Sequence, residues 1–388
     1  MSQIDSGRYR WVVLAAGTFA QAAYSGIWFG AAVMAPALRD RYDLSLGRVG
    51  VLISGSLAGS VVSLIPWGLA SDRLGERAVL AVGLTACGGA LIAASQAQGF
   101  ASLAALLVFA GLAGASVNSA SGRAVMHWFG PYERGLALGI RQAAIPISGL
   151  LASLALPPIV RAGGVGWGFV ALGLACIVSA LVGAGVLREG PRPAEDAATV
   201  LLPPFRDRRI WLLASGSALV VAPQMCVVGF TVLFLHDRRG MSTSAAAAVL
   251  AVVQLLVIGA RIAAGRWSDD LHSRIVPLRR LALTMGALVA LTTALLSAPI
   301  ALLVPALVLA GVVSMSWNGL AFTAAAELAG HARSGAAIGL QQTVLNSFSA
   351  VYPTAFGVFV AATSWRAGFA AVALLPLAGW RVLRALNA

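Results

Sequence analysis

Gly68-Leu69-Ala70-Ser71-Asp72-Arg73-Leu74-Gly75-Glu76-Arg77 is a short charged knot set between two long apolar runs. A weaker version, Gly265-Arg266-Trp267-Ser268-Asp269-Asp270 with Arg274 beyond it, stands 197 residues later and is again flanked by apolar runs. A charged loop that recurs at half the chain length points to a duplicated membrane protein.

Composition agrees with that reading. The 388 residues are 59% hydrophobic and only 11% charged, with a mean hydropathy of +0.87. A soluble domain carries roughly 25% charged residues, so lipid is the solvent for most of this chain. The net charge of +13 does not indicate nucleic acid. Every basic side chain is Arg, in short clusters between apolar runs, with no basic face and no interleaved aromatic platform. Cys87, Cys176 and Cys226 all lie inside apolar runs and read as small buried hydrophobes. The N-terminus imitates a signal peptide, but its apolar run continues to Ala37, too far for such a segment.

Twelve apolar segments follow one another, at about 11–37, 47–69, 78–97, 101–128, 135–157, 165–187, 210–235, 244–267, 279–297, 301–327, 336–361 and 366–385. Each approaches the ~20 residues needed to cross a bilayer core. With the N-terminus inside, alternate loops divide the arginines seventeen to seven in favour of the cytoplasm, which places both termini there. Residues 188–209 are polar, charged and Pro-rich, and read as a cytoplasmic linker between six-helix halves at 1–187 and 210–388. The halves align at an offset near 200: Trp11 with Trp211, Asn118 with Asn318, Gly139 with Gly339, Gln142 with Gln342. Polar matches inside apolar runs are hard to attribute to chance, because polar groups there are costly. Parallel repeats of this kind describe a secondary transporter.

The pattern Gly68-x-x-x-Asp72-Arg73-x-Gly75-x-Arg77 resembles the signature loop of the major facilitator superfamily, and Gly265 to Arg274 resembles its usual echo in the second half. Ala78 stands where that family usually has a further cation, and the second copy lacks its second Gly. The resemblance implies an all-α fold of twelve transmembrane helices in two pseudo-symmetric bundles, working by alternating access about a central site. It also implies that Asp72 ends helix two beside the start of helix eleven, residues 335–339. A carboxylate there meets free N–H groups and the positive end of the helix dipole, and would latch the halves. Asp269 and residues 135–139 would form the second latch. The plainer reading is that these charges only cap tight turns and set topology.

Ionisable residues inside spans are functional candidates by default. Arg141 in helix five and Arg261 in helix eight would approach one cavity in the resembled fold, where planar bidentate donors suit an oxyanion. Arg123 lies nearer the edge and is expected to join a gate network with Glu133, Glu327 or Asp72. The neutral candidates are Gln21, Asn118, Gln142, Gln224, Asn318, Gln341 and Gln342. Each serves equally well as interhelical glue, worth about 0.6 kcal/mol.

The absences matter as well. No Asp or Glu falls in mid-span, no catalytic constellation is visible, and without Lys there is no phosphate-binding loop of the Walker type. No enzyme activity, metal or cofactor is expected. The leading expectation is a multi-pass transporter for a small organic anion, acting as a monomer in a bacterial cytoplasmic (inner) membrane, with the lipid bilayer as surroundings and no nucleic-acid partner. The alternative is an efflux carrier for drug-like or apolar metabolites, suggested by Pro146-x-x-Gly149 in helix five.

Overall fold

Backbone polar groups cannot be left open in hydrocarbon, so chains this apolar must satisfy them within helices. The computed structural model describes residues 3–44, 46–188 and 203–386 and is almost wholly helical. Most of the expected linker, including Arg192, lies outside the described residues. In the first half the helices are α1 (Gln3–Val33), α2 (Ala35–Tyr42), α3 (Leu46–Leu74), α4 (Glu76–Ala94), α5 (Phe100–Gly114), α6 (Ser116–Trp128) and α7 (Arg134–Val186). The second half holds α8 (Arg208–Val220), α9 (Gly229–Arg239), α10 (Thr243–Asp270), α11 (Ile275–Ala294), α12 (Ile300–Ser316), α13 (Asn318–Ala329), α14 (Ser334–Ala362) and α15 (Trp365–Leu383).

These form the twelve spans. Span four is α5 followed by α6, and span ten is α12 followed by α13, so the two repeats break at corresponding places, beside Asn118 and Asn318. Span seven is α8 and α9 joined through a π-turn at Gln224–Val228, just after Pro223. Spans five and six are the single element α7, interrupted only at Gly164, whose φ of +79° a Cβ would disfavour. The helix therefore runs through Pro157 and Pro158, where the sequence suggests an end. In a membrane helix, neighbouring groups re-satisfy the carbonyls that proline leaves open.

The helices fall into two compact units. One comprises Met1–Gly130, Ile140–Pro204 and Ala326–Thr343, the other Pro131–Gly139, Phe205–Ala325 and Val344–Ala388. Each unit therefore includes a short segment from the other sequence half. In the first unit, Tyr24, Ile27, Leu52, Leu84 and Phe169 are buried together. Its α3 and α5 approach closely because a Cβ at Gly59 would meet the Val108 carbonyl oxygen and one at Gly111 that of Ser56. The second unit is built on aromatics: Phe234 lies 5.3 Å from Trp365 and 5.5 Å from Phe369 between ring centroids. Large apolar side chains also point outward, among them Val62, Leu181 and Val358. A surface of this kind belongs against lipid tails.

Span seven starts on a built cap. The Asp207 carboxylate accepts the Arg209 N–H at 2.8 Å and pairs with its guanidinium, also at 2.8 Å. The Arg209 guanidinium, and to a lesser degree its backbone amide, hold the Asp207 carboxyl below the ordinary carboxylate range. Its stabilisation is therefore present at neutral pH and is lost as pH falls through the lowered value. Asp207→Ala is expected to cost about 1 kcal/mol, with the difference from the parent disappearing in thermal melts at low pH.

Candidate functional site

Two carboxylates sit on the first turns of helices that follow them by more than a hundred residues, or precede them by as many. Near the end of α3, Asp72 accepts the backbone N–H of Gly335 through Oδ1 and that of Ala336 through Oδ2, both at 2.9 Å. At the end of α10, Asp269 does the same with Gly135 at 2.9 Å and Leu136 at 2.7 Å. First-turn amides have no partner within their own helix and carry the positive end of its dipole. Each Asp is thus an N-cap supplied from a distant segment.

Glycine makes the approach possible. One turn before each Asp, a Cβ at Gly68 would meet the Gly335 carbonyl oxygen, and one at Gly265 would meet that of Gly135. One turn further along the capped helices, Gly339 lies on the Leu64 carbonyl and Gly139 on that of Arg261. The helices touch backbone to backbone, with a Gly-x-x-x-Asp face on one and a Gly-x-x-x-Gly face on the other.

The cations around the two clamps differ. Arg274 binds Asp269 Oδ1 at 2.5 Å and donates to Ser268 Oγ at 2.7 Å and to the Pro131 carbonyl. At the first clamp the cation comes from α6: Arg123 donates to the Ser71 carbonyl and lies 3.9 Å from Asp72 and 4.0 Å from Glu76. Glu76 in turn faces His127 Nδ1 at 2.9 Å. Glu76 and His127 thus belong to this network, which no local pattern in the sequence reveals. Glu133 and Glu327 are half-buried. Arg73 and Arg77 of the signature loop are exposed.

The in-span arginines lie in separate units, each within its own polar shell. Arg141 is fully buried; it donates to Ser121 Oγ at 2.6 Å, Gln21 Oε1 at 2.7 Å, Gln142 Oε1 at 3.4 Å, and the carbonyls of Val117 and Asn118 at 3.4 Å. Gln21 also donates to Ser25. Arg261, likewise buried, donates to the Met315 carbonyl at 2.9 Å and to Asn318 Oδ1 at 3.4 Å. The Met315 carbonyl is one that α12 leaves open by ending at Ser316. Four of the neutral candidates, Gln21, Asn118, Gln142 and Asn318, therefore surround the arginines. Gln224 lies in the π-turn, its Oε1 buried without a hydrogen-bond partner. Gln341 is buried with both amide atoms unpartnered, and Gln342 is buried beside it.

A model of the Major Facilitator Superfamily matches residues 17–353. The chain belongs to that superfamily. It is 32% identical over 352 residues to an uncharacterized MFS-type transporter of Mycobacterium tuberculosis, covering 90% of this chain and 79% of the relative. Over 119 residues it is 26% identical to the hexuronate transporter of Bacillus subtilis, covering 31% and 28% of the two chains. Among solved folds, the E. coli fucose:proton symporter FucP superposes with a TM-score of 0.74 at 14% identity, over 96% of this chain and 98% of that one. A major facilitator is a multi-pass membrane protein that moves small molecules, and this chain has its twelve spans and both copies of its charged loop.

Proposed function

We propose that this superfamily member is a secondary active transporter that works by alternating access and carries a small organic anion. The observation that carries the proposal is the pair Arg141 and Arg261. Both guanidiniums are buried in spans whose middles contain no Asp or Glu. A buried cation in a membrane span is expensive to keep, and such groups mark substrate or ion pathways. Guanidinium offers several fixed donors, the geometry that a carboxylate accepts. The shells support this role, since Gln21, Gln142 and Asn318 orient the donors without adding charge. The partial likeness to a hexuronate transporter, whose named substrate is a sugar acid, points the same way.

On this reading Asp72 and Asp269 are the gate. Each ties segments from the two sequence halves, and each must let go when the 1–187 and 210–388 halves exchange states. The arginine asymmetry of the loops supports both termini and both clamps lying on the cytoplasmic side; the protein works in a bacterial inner membrane, and one chain suffices for the cycle. Export of drug-like molecules is the competing reading.

Counterflow in liposomes separates them. Labelled monocarboxylates, dicarboxylates and a lipophilic dye are offered to the parent, Arg141→Gln and Arg261→Gln. Loss of a charge-assisted hydrogen bond predicts anion exchange about 10- to 100-fold slower in both variants. Dye transport indifferent to both substitutions, with no anion exchanged by the parent, would overturn the proposal.

A further inference from the structure

The first unit holds a cavity apart from the arginine shells. It lies between the start of α4 and the end of α7, has a volume of about 470 Å³, and is lined by Arg77, Arg188, Ala78, Ala81, Ala184 and Leu187. Both helices contribute to its wall. Where α4 and α7 cross they are pinned by glycines: a Cβ at Gly88 would lie 2.6 Å from the Gly173 carbonyl oxygen, and one at Gly173 would lie 2.8 Å from that of Gly88. Nearer the cavity, a Cβ at Gly183 would meet the Leu80 side chain. Beside the cavity the facing residues include Ala78, Ala81 and Ala184, side chains too small to fill it.

The mouth of this cavity suits a phosphate. The helix α4 begins there, behind Gly75 with φ +83°. Glu76 also borders the cavity, but its carboxylate is engaged with His127 and Arg123. Arg77 is exposed at the mouth. Arg188 is held in position, with its guanidinium 5.0 Å over the Tyr9 ring and its backbone carbonyl accepting from Trp128 Nε1 at 3.2 Å. Tyr9 anchors itself by donating to the Val186 carbonyl at 2.5 Å, and its ring lies 5.2 Å from Trp128. A Tyr–Trp pair of this kind belongs at the headgroup level of a bilayer. The opening therefore places two cations at headgroup depth, with an apolar chamber behind them.

From this arrangement we infer that the cavity is a phospholipid site, with the phosphodiester held by Arg77 and Arg188, and the glycerol and first methylenes lying along Ala78, Ala81 and Ala184. Basic pockets between membrane helices bind anionic headgroups in this way. The site abuts Glu76, so an occupant would brace the wall of the Asp72 clamp. The inference stands independently of the transported substrate.

Native mass spectrometry of delipidated protein, titrated with phosphatidylglycerol and separately with inorganic phosphate, tests it. One lipid should be retained beyond the weakly held remainder. Arg77→Gln and Arg188→Gln should each weaken it about fivefold. Ala81→Leu, which fills the chamber and keeps both arginines, should weaken it as well, and inorganic phosphate should not displace it. Size-exclusion profiles identical to the parent's establish that each variant is folded. Lipid affinity unchanged in all three variants would overturn the inference. Sensitivity to the arginines but not to Ala81→Leu would reduce the site to diffuse surface attraction, and displacement by inorganic phosphate would assign it to a soluble anion.

Discussion

Asp269→Ala should lower the stability of the protein by about 3–5 kcal/mol, the range for breaking a buried ion pair from one side. The Asp269 carboxylate is only 6% exposed and holds three donors: the amides of Gly135 and Leu136, and Arg274. Removing it uncaps the start of α7 and takes the carboxylate away from a guanidinium that is itself only 7% exposed. Ser268 and Pro131 still accept from Arg274, but they supply no compensating charge. Asp72 makes the same two amide bonds, yet its cation lies 3.9 Å away. Asp72→Ala should therefore cost less, about 1–3 kcal/mol for buried donors left unpaired. Thermal unfolding in detergent gives the ranking. Maleimide labelling of a cysteine in place of Ala137, a buried position in the capped turn, shows whether the loss appears as an opened clamp or as global unfolding. Equal melting temperatures for the two variants would contradict the ranking.

That ranking inverts the impression left by the sequence, where Gly68 to Arg77 is the fuller motif and Gly265 to Arg274 its degraded copy. Motif completeness counts residues; clamp strength depends on where their atoms go. Of the first loop's arginines, Arg73 and Arg77 face outward and the nearest cation to Asp72 is Arg123 of another helix, whereas Arg274 turns back onto Asp269 from its own loop.

The spans were legible because hydrocarbon leaves a segment of this apolarity one option, and twelve such segments recur. Their ends were less so. The first helix reaches back to Gln3 through Arg8 and Arg10, since polar residues at a membrane surface continue a helix without cost, and Pro157–Pro158 fails to stop α7. The positions of Asp72 and Asp269 at helix ends are plain from spacing. Which amides they cap is a tertiary fact, reached only through resemblance to a known fold. Glu76 and His127 were illegible: they lie 51 residues apart, and nothing near either marks the other as a partner. The same holds for Ser121 on Arg141, because a serine in an apolar run looks like any other small residue.

Gly265→Leu should open the second clamp without touching a charged group. At this position the atoms that a Cβ would meet belong to the backbone of Gly135 and Leu136, which have no rotamer to yield. Gly135 is equally constrained, because a Cβ there would meet the Gly265 carbonyl oxygen and Ser268 Oγ. A leucine side chain can be accepted only if α10 and the start of α7 move apart. Asp269 lies one turn along the same face of α10, so that separation also stretches its bonds to Gly135 and Leu136. Overpacking costs ~1–3 kcal/mol, and two charge-assisted hydrogen bonds are strained in addition. A total near 3 kcal/mol would shift an open–closed equilibrium about 100-fold, since each 1.4 kcal/mol is tenfold. The readout is again the maleimide labelling rate of the Ala137→Cys background, expected to rise by that factor while the melting temperature falls less than for Asp269→Ala. Gly259→Leu is the control: it lies on α10, where a Cβ would meet nothing within 4 Å, and it should label at the parent rate. If Gly265→Leu labelled no faster than Gly259→Leu, the glycine contact would be a feature of packing and not part of the gate.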